Sequence, residues 1–173
     1  MKNRLLQTIV AMSLFPHVGS AQTGPVTERP AALNRLSFLE GRWSMKGWAP
    51  GEQGRENVDF EVRCEWVSRF MMCREDAPKP GDWPGFEVYS YNDRKTRYEG
   101  LFTDPLSQTV AHPVRWEGEK MISKYEYHVG GAYHLVRRTM VAKGEAAWQW
   151  TVEDLADNKV SVVIDMTATR VGK

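Results

Sequence analysis

The chain has 173 residues, and its 23 basic and 22 acidic side chains give a formal net charge of +1. Such a near-neutral chain lacks the excess positive charge that binding to nucleic acid or to an anionic membrane surface requires, so we expect neither as a partner. The length is sufficient for one domain with a hydrophobic core of its own.

Residues 1–21 have the pattern of a secretory signal peptide. Lys2 and Arg4 precede an apolar stretch from Leu5 to Phe15, and the small residues Gly19-Ser20-Ala21 supply a cleavage site. The apolar stretch is too short to span a bilayer, and no later segment reaches that length. We therefore expect a periplasmic or secreted protein without a membrane span. Cleavage would leave 21 basic against 22 acidic residues, a net charge of −1.

The remaining chain divides into a short leader and one domain. Residues 22–30 are polar and contain Pro25 and Pro30, which predicts a flexible leader. Residues 31–173 are then expected to form a single domain. Its first ten residues, Ala31 to Glu40, predict a short amphipathic helix that ends at Gly41 and closes one end of the domain.

From Arg42 onward the pattern is almost entirely that of strands. The clearest segment alternates apolar residues from Val58 to Trp66 with charged ones, which predicts one dry face and one wet face. Short connections favour an up-and-down order. The fold class predicted is therefore all-β, an antiparallel barrel of eight to ten strands. The predicted strands are Arg42–Trp48, Val58–Trp66, Phe70–Glu75, Phe86–Asn92, Tyr98–Thr103, Val110–Trp116, Lys120–His128, Tyr133–Ala142, Ala147–Asp154 and Val160–Arg170.

Two longer loops, 49–56 and 76–85, are rich in proline and glycine. Loops of this composition at the rim of a barrel can gate its mouth. Trp48 and Trp83, in or beside them, would then cover a ligand. The alternative is that both tryptophans simply close the end of the barrel.

Cys64 and Cys73 are the only cysteines, and export would place them where disulfides persist. If Ser68-Arg69 is a two-residue turn, the two cysteines lie directly opposite one another and can be bridged. The same register sets Arg63 opposite Arg74, which is unfavourable. A three-residue turn would avoid that clash and separate the thiols, so both arrangements stay open.

One arginine is expected inside the barrel. Neighbouring residues of a strand point to opposite faces, so either Arg137 or Arg138 must face inward. A two-residue turn at Gly130-Gly131 assigns Arg138 to the inner face, since its companions there are apolar or aromatic. Those companions are Tyr125, Tyr127, His134, Val136 and Met140. A buried guanidinium must meet an interior acid, a backbone carbonyl, water or an anionic ligand such as a carboxylate.

Aromatic and aliphatic side chains on the predicted inner faces would line a ligand pocket, or fill the barrel as a solid core. They are Met45, Phe60, Val62, Trp66, Trp148, Trp150 and Ile164.

The histidines offer weaker possibilities. A three-residue turn would place His128 opposite His134 as a two-ligand metal clip, but the local sequence supplies no third ligand, and no metal is expected. A haem would need His112 or His134, and no cofactor is expected. Common hydrolase, protease and nucleotide-binding motifs are absent from the sequence. His134 with Tyr127 would serve an isomerase or lyase, which is the enzymatic alternative.

Gly41-Arg42-Trp43 at the start of the first strand, together with Arg170 in the last strand, resembles the pattern of the calycin group, the lipocalin-like barrels. The chain is most similar to a bacterial exported lipocalin-like domain family of unknown function, over roughly residues 33 to 170. The shared motifs are Leu39-Glu40-Gly41-Arg42-Trp43, the hairpin Trp66 to Met71, and the aromatic strand pair from Tyr89 to Asp104. Ser68 departs from this pattern, because such hairpins usually carry glycine there.

The resemblance implies a closed barrel in which the Arg170 guanidinium covers the ring of Trp43. Together with the inner-face residues, it predicts noncatalytic binding of a small hydrophobic or amphipathic molecule. The alternatives are an enzyme that uses the same pocket, and a filled barrel that acts through its surface as an envelope interaction protein.

Overall fold

Ten antiparallel strands close into a barrel in a computed structural model that describes residues 29–51, 54–76, 85–103, 108–129, 132–155 and 160–172. Each strand pairs with its neighbours in sequence, and the last strand pairs with the first. This confirms the predicted fold class. The strands are β1 Gly41–Gly51, β2 Gly54–Val67, β3 Phe70–Glu75, β4 Phe86–Asn92, β5 Arg97–Thr103, β6 Thr109–Glu117, β7 Lys120–Val129, β8 Ala132–Ala142, β9 Ala147–Asp154 and β10 Ser161–Arg170.

Alternation of side chains explains why these segments form a barrel wall. On β2, Val62 and Cys64 are buried while Arg63 between them is exposed. The same period of two recurs on β6 and β8, so one face of the closed sheet lines the interior and the other faces solvent.

A short 3-10 helix, Ala31–Leu39, closes one end of the barrel as the sequence predicts. Leu33, Leu36 and Leu39 are fully buried on its inner side. The Trp43 indole donates a hydrogen bond to the Leu39 carbonyl, 2.6 Å away, which ties the helix to β1.

Trp43 and Arg170 join the first strand to the last. They are direct partners in the β1–β10 pairing, and the Arg170 guanidinium carbon lies 4.2 Å from the centre of the Trp43 ring. A cation over an aromatic face stabilises this closure, and it is the arrangement that the two residues predict.

A disulfide joins Cys64 to Cys73, which face one another across β2 and β3. Ser68 and Arg69 form the two-residue turn, so the three-residue alternative is not adopted. Arg63 does lie opposite Arg74, but its guanidinium reaches Glu65 at 3.0 Å, which relieves the repulsion.

The pairing of β7 with β8 is the one that a two-residue turn predicts, with Tyr127 opposite His134. Gly130 and Gly131 themselves lie outside the described residues. His128 faces Tyr133 rather than His134, so the two-histidine metal clip is wrong.

Trp48 faces outward, because the inward positions of β1 are its odd-numbered residues. Its ring lies 3.8 Å from the Arg55 guanidinium carbon on the outer wall. Trp48 therefore neither covers nor plugs the interior. Trp83 lies outside the described residues, as does most of the loop 76–85.

Candidate functional site

The inside of the barrel is divided into two halves. The half next to the helix is tightly packed with large side chains that are at most 5% exposed: Trp43, Met45, Met71, Tyr89, Met121, Met140, Trp148 and Met166. Further from the helix, several inward-facing side chains stay partly exposed, and we call them the open half: Phe60, Phe102, Tyr125, Tyr127, Trp150 and Ile164. The described residues thus form a cup with a packed base.

A buried polar cluster crosses the cup, and we call it the polar floor: Glu87, Tyr89, His112 and Arg138. Arg138 Nη2 forms an ion pair with Glu87 Oε1 and donates to the Tyr89 hydroxyl at 3.1 Å. His112 Nε2 lies 3.3 Å from Glu87 Oε1 and 3.3 Å from Arg138 Nη2. Glu87 is on β4 and Arg138 on β8, which are not neighbours in the sheet, so their contact spans the interior.

Charge is balanced within the polar floor. Burial alone would raise the pKa of Glu87, but the Arg138 charge and the His112 hydrogen bond outweigh it and lower that pKa to about 2. Burial tends to lower the pKa of Arg138, but the charge of Glu87 together with the effects of Tyr89 and Tyr125 outweighs burial and raises that pKa above its usual value. Glu87 is therefore a carboxylate and Arg138 a guanidinium at neutral pH, with no net charge between them.

The other members of this region are neutral. Burial lowers the pKa of His112, and the Arg138 charge lowers it further, against the opposing effect of Glu87. Burial raises the pKa of Tyr89 well above its usual value, and it raises that of Tyr125 as well. Both phenols keep their hydrogens, so the floor offers hydroxyl groups and an uncharged imidazole around one ion pair.

Gly100 on β5 allows this cluster to form. It lies directly between Tyr89 on β4 and His112 on β6 in the sheet. Because residue 100 has no side chain, the His112 ring can lie over its backbone and reach Glu87. A side chain at this inward position would separate the groups.

Several donors in the described interior have no hydrogen-bond partner among the described residues. They are Arg138 Nε, Trp116 Nε1, Trp148 Nε1 and Trp150 Nε1, and the ring atom His112 Nδ1 is also unpartnered. Arginine and tryptophan side chains only donate. Arg138 lies opposite Val152, so Trp150 is its diagonal neighbour on β9. This wall is therefore suited to a hydrogen-bond acceptor.

A second polar group lies at the rim of the cup. His134 near the start of β8 and Asp154 at the end of β9 both face inward, and His134 Nδ1 lies 2.7 Å from Asp154 Oδ2. A carboxylate only accepts, so Nδ1 carries a hydrogen, and in the neutral form of the ring Nε2 is the acceptor.

The sequence-predicted residues are distributed over both halves. Arg138 faces inward as predicted, but a protein carboxylate already neutralises it. The partly exposed wall of the cup includes six predicted residues: Phe60, Tyr125, Tyr127, His134, Trp150 and Ile164.

Four predicted lining residues lie elsewhere. Met45, Val62 and Trp148 are buried in the hydrophobic core, and Trp148 contacts Trp43 edge-on. Trp66 is at the helix end, with its indole bonded to Glu40 and the Arg29 guanidinium 4.1 Å from its ring centre. Both neighbours come from segments outside the β-sheet, so strand periodicity does not reveal them.

Glu87, Tyr89 and Gly100 are site residues that the sequence reasoning missed. The signal was present on β4, where Glu87 shares the inward face with Tyr89 and Tyr91. An acid on an otherwise aromatic face is a candidate partner for an inward arginine.

The outer wall also has recesses. One of about 450 Å³ is lined largely by outward side chains of β3 to β6, including Phe70, Val88, Leu101 and Pro113. Another of about 490 Å³ lies along β1 and β2 beside Trp48. Neither involves the open half of the cup.

No protein-family model matches this chain, and no curated protein matches it in sequence. Within the described residues there is no helix long and apolar enough to cross a membrane. The same part of the chain holds no group of three or more residues suited to bind a metal ion.

Proposed function

We propose that this protein binds a small hydrophobic or amphipathic molecule, noncatalytically, in the open half of the barrel. The observation that carries the proposal is the partly exposed inner wall formed by Phe60, Phe102, Tyr125, Trp150 and Ile164 above a packed base. Concave sites lined by aromatic groups with a few convergent polar groups are typical of small-molecule binding.

The polar floor specifies the end of the molecule that enters first. Glu87 already balances the charge of Arg138, so a carboxylate on the ligand would meet a pair without net charge and the Glu87 oxygens beside it. The unpartnered Nε of Arg138 and the indole of Trp150 instead favour an uncharged acceptor, such as an ester, amide or ketone oxygen.

The chain is proposed to act as an exported lipocalin-like protein. Closure of a ten-stranded barrel through Trp43 and Arg170 is consistent with the calycin group. The Cys64–Cys73 disulfide supports an oxidising compartment, the periplasm or the exterior. Alkylation of the thiols in intact cells, before and after reduction, would test this location.

Binding is tested with the neutral fluorescent probe N-phenylnaphthylamine. Ile164 faces into the cup and is partly exposed, so Ile164→Trp should fill the space and weaken probe binding at least about tenfold. Val162 on the same strand is 39% exposed and faces outward, so Val162→Trp is the matched control and should bind like the wild type. Equal affinity of the two variants, or no binding by the wild type, would overturn the proposal.

A filled barrel that acts through its surface is the second candidate, favoured by the apolar outer recess beside Phe70 and Leu101. If this were the function, Leu101→Glu would abolish association with a partner while the cup remained unoccupied. Native mass spectrometry of the protein from its own compartment separates the two, since a retained small molecule supports binding in the cup.

A further inference from the structure

We propose that the ligand is elongated, with an uncharged hydrogen-bond acceptor at its buried end and a hydroxyl donor at its outer end. This inference rests on the proposed function and adds the rim pair His134–Asp154 as a second recognition point. The two recognition points, Arg138 and His134, lie on the same strand and face the same side.

The chemistry of the rim follows from the hydrogen bond within it. Asp154 accepts from Nδ1 at 2.7 Å, so the neutral form of the ring has its hydrogen on Nδ1 and its lone pair on Nε2. The described residues offer Nε2 no partner, and the His134 side chain is 31% exposed, so a ligand can reach it. The group it accepts from must carry a hydrogen, and a hydroxyl is the simplest uncharged example.

The polar floor offers a hydrogen-bond donor, whereas the rim offers an acceptor. Arg138 is 4% exposed, and its unpartnered Nε can only donate. The two ends of the cup therefore discriminate between the two ends of a ligand, and a molecule with the reverse polarity would leave both recognition points unsatisfied.

The spacing sets the length of the ligand. His134 and Arg138 are separated by four residues of extended strand, which corresponds to about 13 Å. Val136 lies between them on the inner face, with Val152 and Ile164 on the neighbouring strands, so the middle of the ligand is expected to be apolar.

The experiment compares methyl ω-hydroxyalkanoates of increasing chain length with methyl alkanoates of the same lengths, as competitors of N-phenylnaphthylamine. We expect the hydroxyl to tighten binding about fivefold at one chain length and to have no benefit at shorter ones. His134→Phe should remove this advantage and leave the binding of the plain esters unchanged.

A second variant distinguishes the loss of hydroxyl recognition from misfolding. Asp154→Asn replaces the carboxylate with an amide that can hold either imidazole tautomer, so the advantage of the hydroxyl should shrink. His128→Phe is the control and should keep the advantage, because His128 lies on the outside of the same hairpin, in edge-on contact with Tyr133.

The outcomes separate the two proposals. If both ester series displace the probe equally at every length, the rim has no role and the inference is overturned, while the proposed function stands. If the probe binds in the cup but neither series displaces it, the inference is also overturned. If the wild type binds no probe at all, the proposed function fails together with it.

Discussion

The imidazole of His112 lies over Gly100, in the space that a side chain at residue 100 would occupy. His112 Nε2 is only 2.7 Å from the position that a β-carbon would take there. This contact across neighbouring strands brings an uncharged ring to Glu87 and Arg138, so the polar floor depends on a residue without a side chain.

Replacing Gly100 with alanine should therefore disrupt the polar floor. The added methyl group would push the His112 ring from Glu87, and we expect a loss of about 1–3 kcal/mol in the free energy of unfolding. Chemical denaturation measures this loss. Because His112→Ala removes the ring, Gly100→Ala should cost clearly less in that background. An equal cost in both backgrounds would show that the ring does not cause the strain.

The ion pair between Arg138 and Glu87 predicts an asymmetry between single and double variants. Arg138→Met leaves a buried carboxylate without its counterion, and we expect about 3–5 kcal/mol of destabilisation. The double variant Glu87→Gln, Arg138→Met removes both charges and should recover most of that loss. Denaturant titration of the wild type, the two singles and the double measures the coupling directly. Additive effects would contradict a buried pair.

Stability should fall in acid because of Glu87. Its folded pKa of about 2 lies below the ordinary value of 4.5, so the unfolded state takes up the proton first. The contribution is fully present above pH 4.5 and is lost as the pH falls from there toward 2. The free energy of unfolding, measured from pH 4.5 to 2, should fall more steeply for the wild type than for the double variant that lacks the ion pair.

A matched control for that decline is Glu99. Its pKa is also lowered, by hydrogen bonds from Asn92 and Arg97, but it is a surface group and solvent screens its interactions. Glu99→Gln should keep nearly the whole decline of the wild type. If Glu99→Gln removed the decline instead, the acid sensitivity would belong to the outer face of the barrel and not to the polar floor.

The sequence predicts the wall of this barrel well for a physical reason. Charged residues on β2 cannot face a dry interior, so the alternation around Val62 and Cys64 fixes the direction of each side chain. Turn length then fixes the register, as it does for Cys64 with Cys73 and for Tyr127 with His134.

The contents of the barrel are harder to predict, because they depend on contacts between strands that are not neighbours. Glu87 and Arg138 are 51 residues apart and meet only when the sheet closes. Periodicity identifies that both face inward, but it does not measure how far apart opposite walls lie. The contacts of Trp66 are also hard to predict from periodicity, because its neighbours Arg29 and Glu40 lie on either side of the helix and not on a strand.

The turn at Ser68 offers a last test, since it is where the chain departs from the lipocalin-like pattern. Ser68 has φ of +57°, in the left-handed region that costs a residue with a side chain about 1–2 kcal/mol. Glycine avoids this strain but loses about 0.5–1 kcal/mol through its greater freedom in the unfolded chain. The strain outweighs the entropy, so Ser68→Gly should raise the free energy of unfolding by roughly 0.5–1 kcal/mol. Ser44, in the middle of β1 with ordinary strand geometry, is the control, and Ser44→Gly should lower stability by about the same amount. A thermal melt in which both variants lose stability would mean that the backbone at residue 68 is not strained.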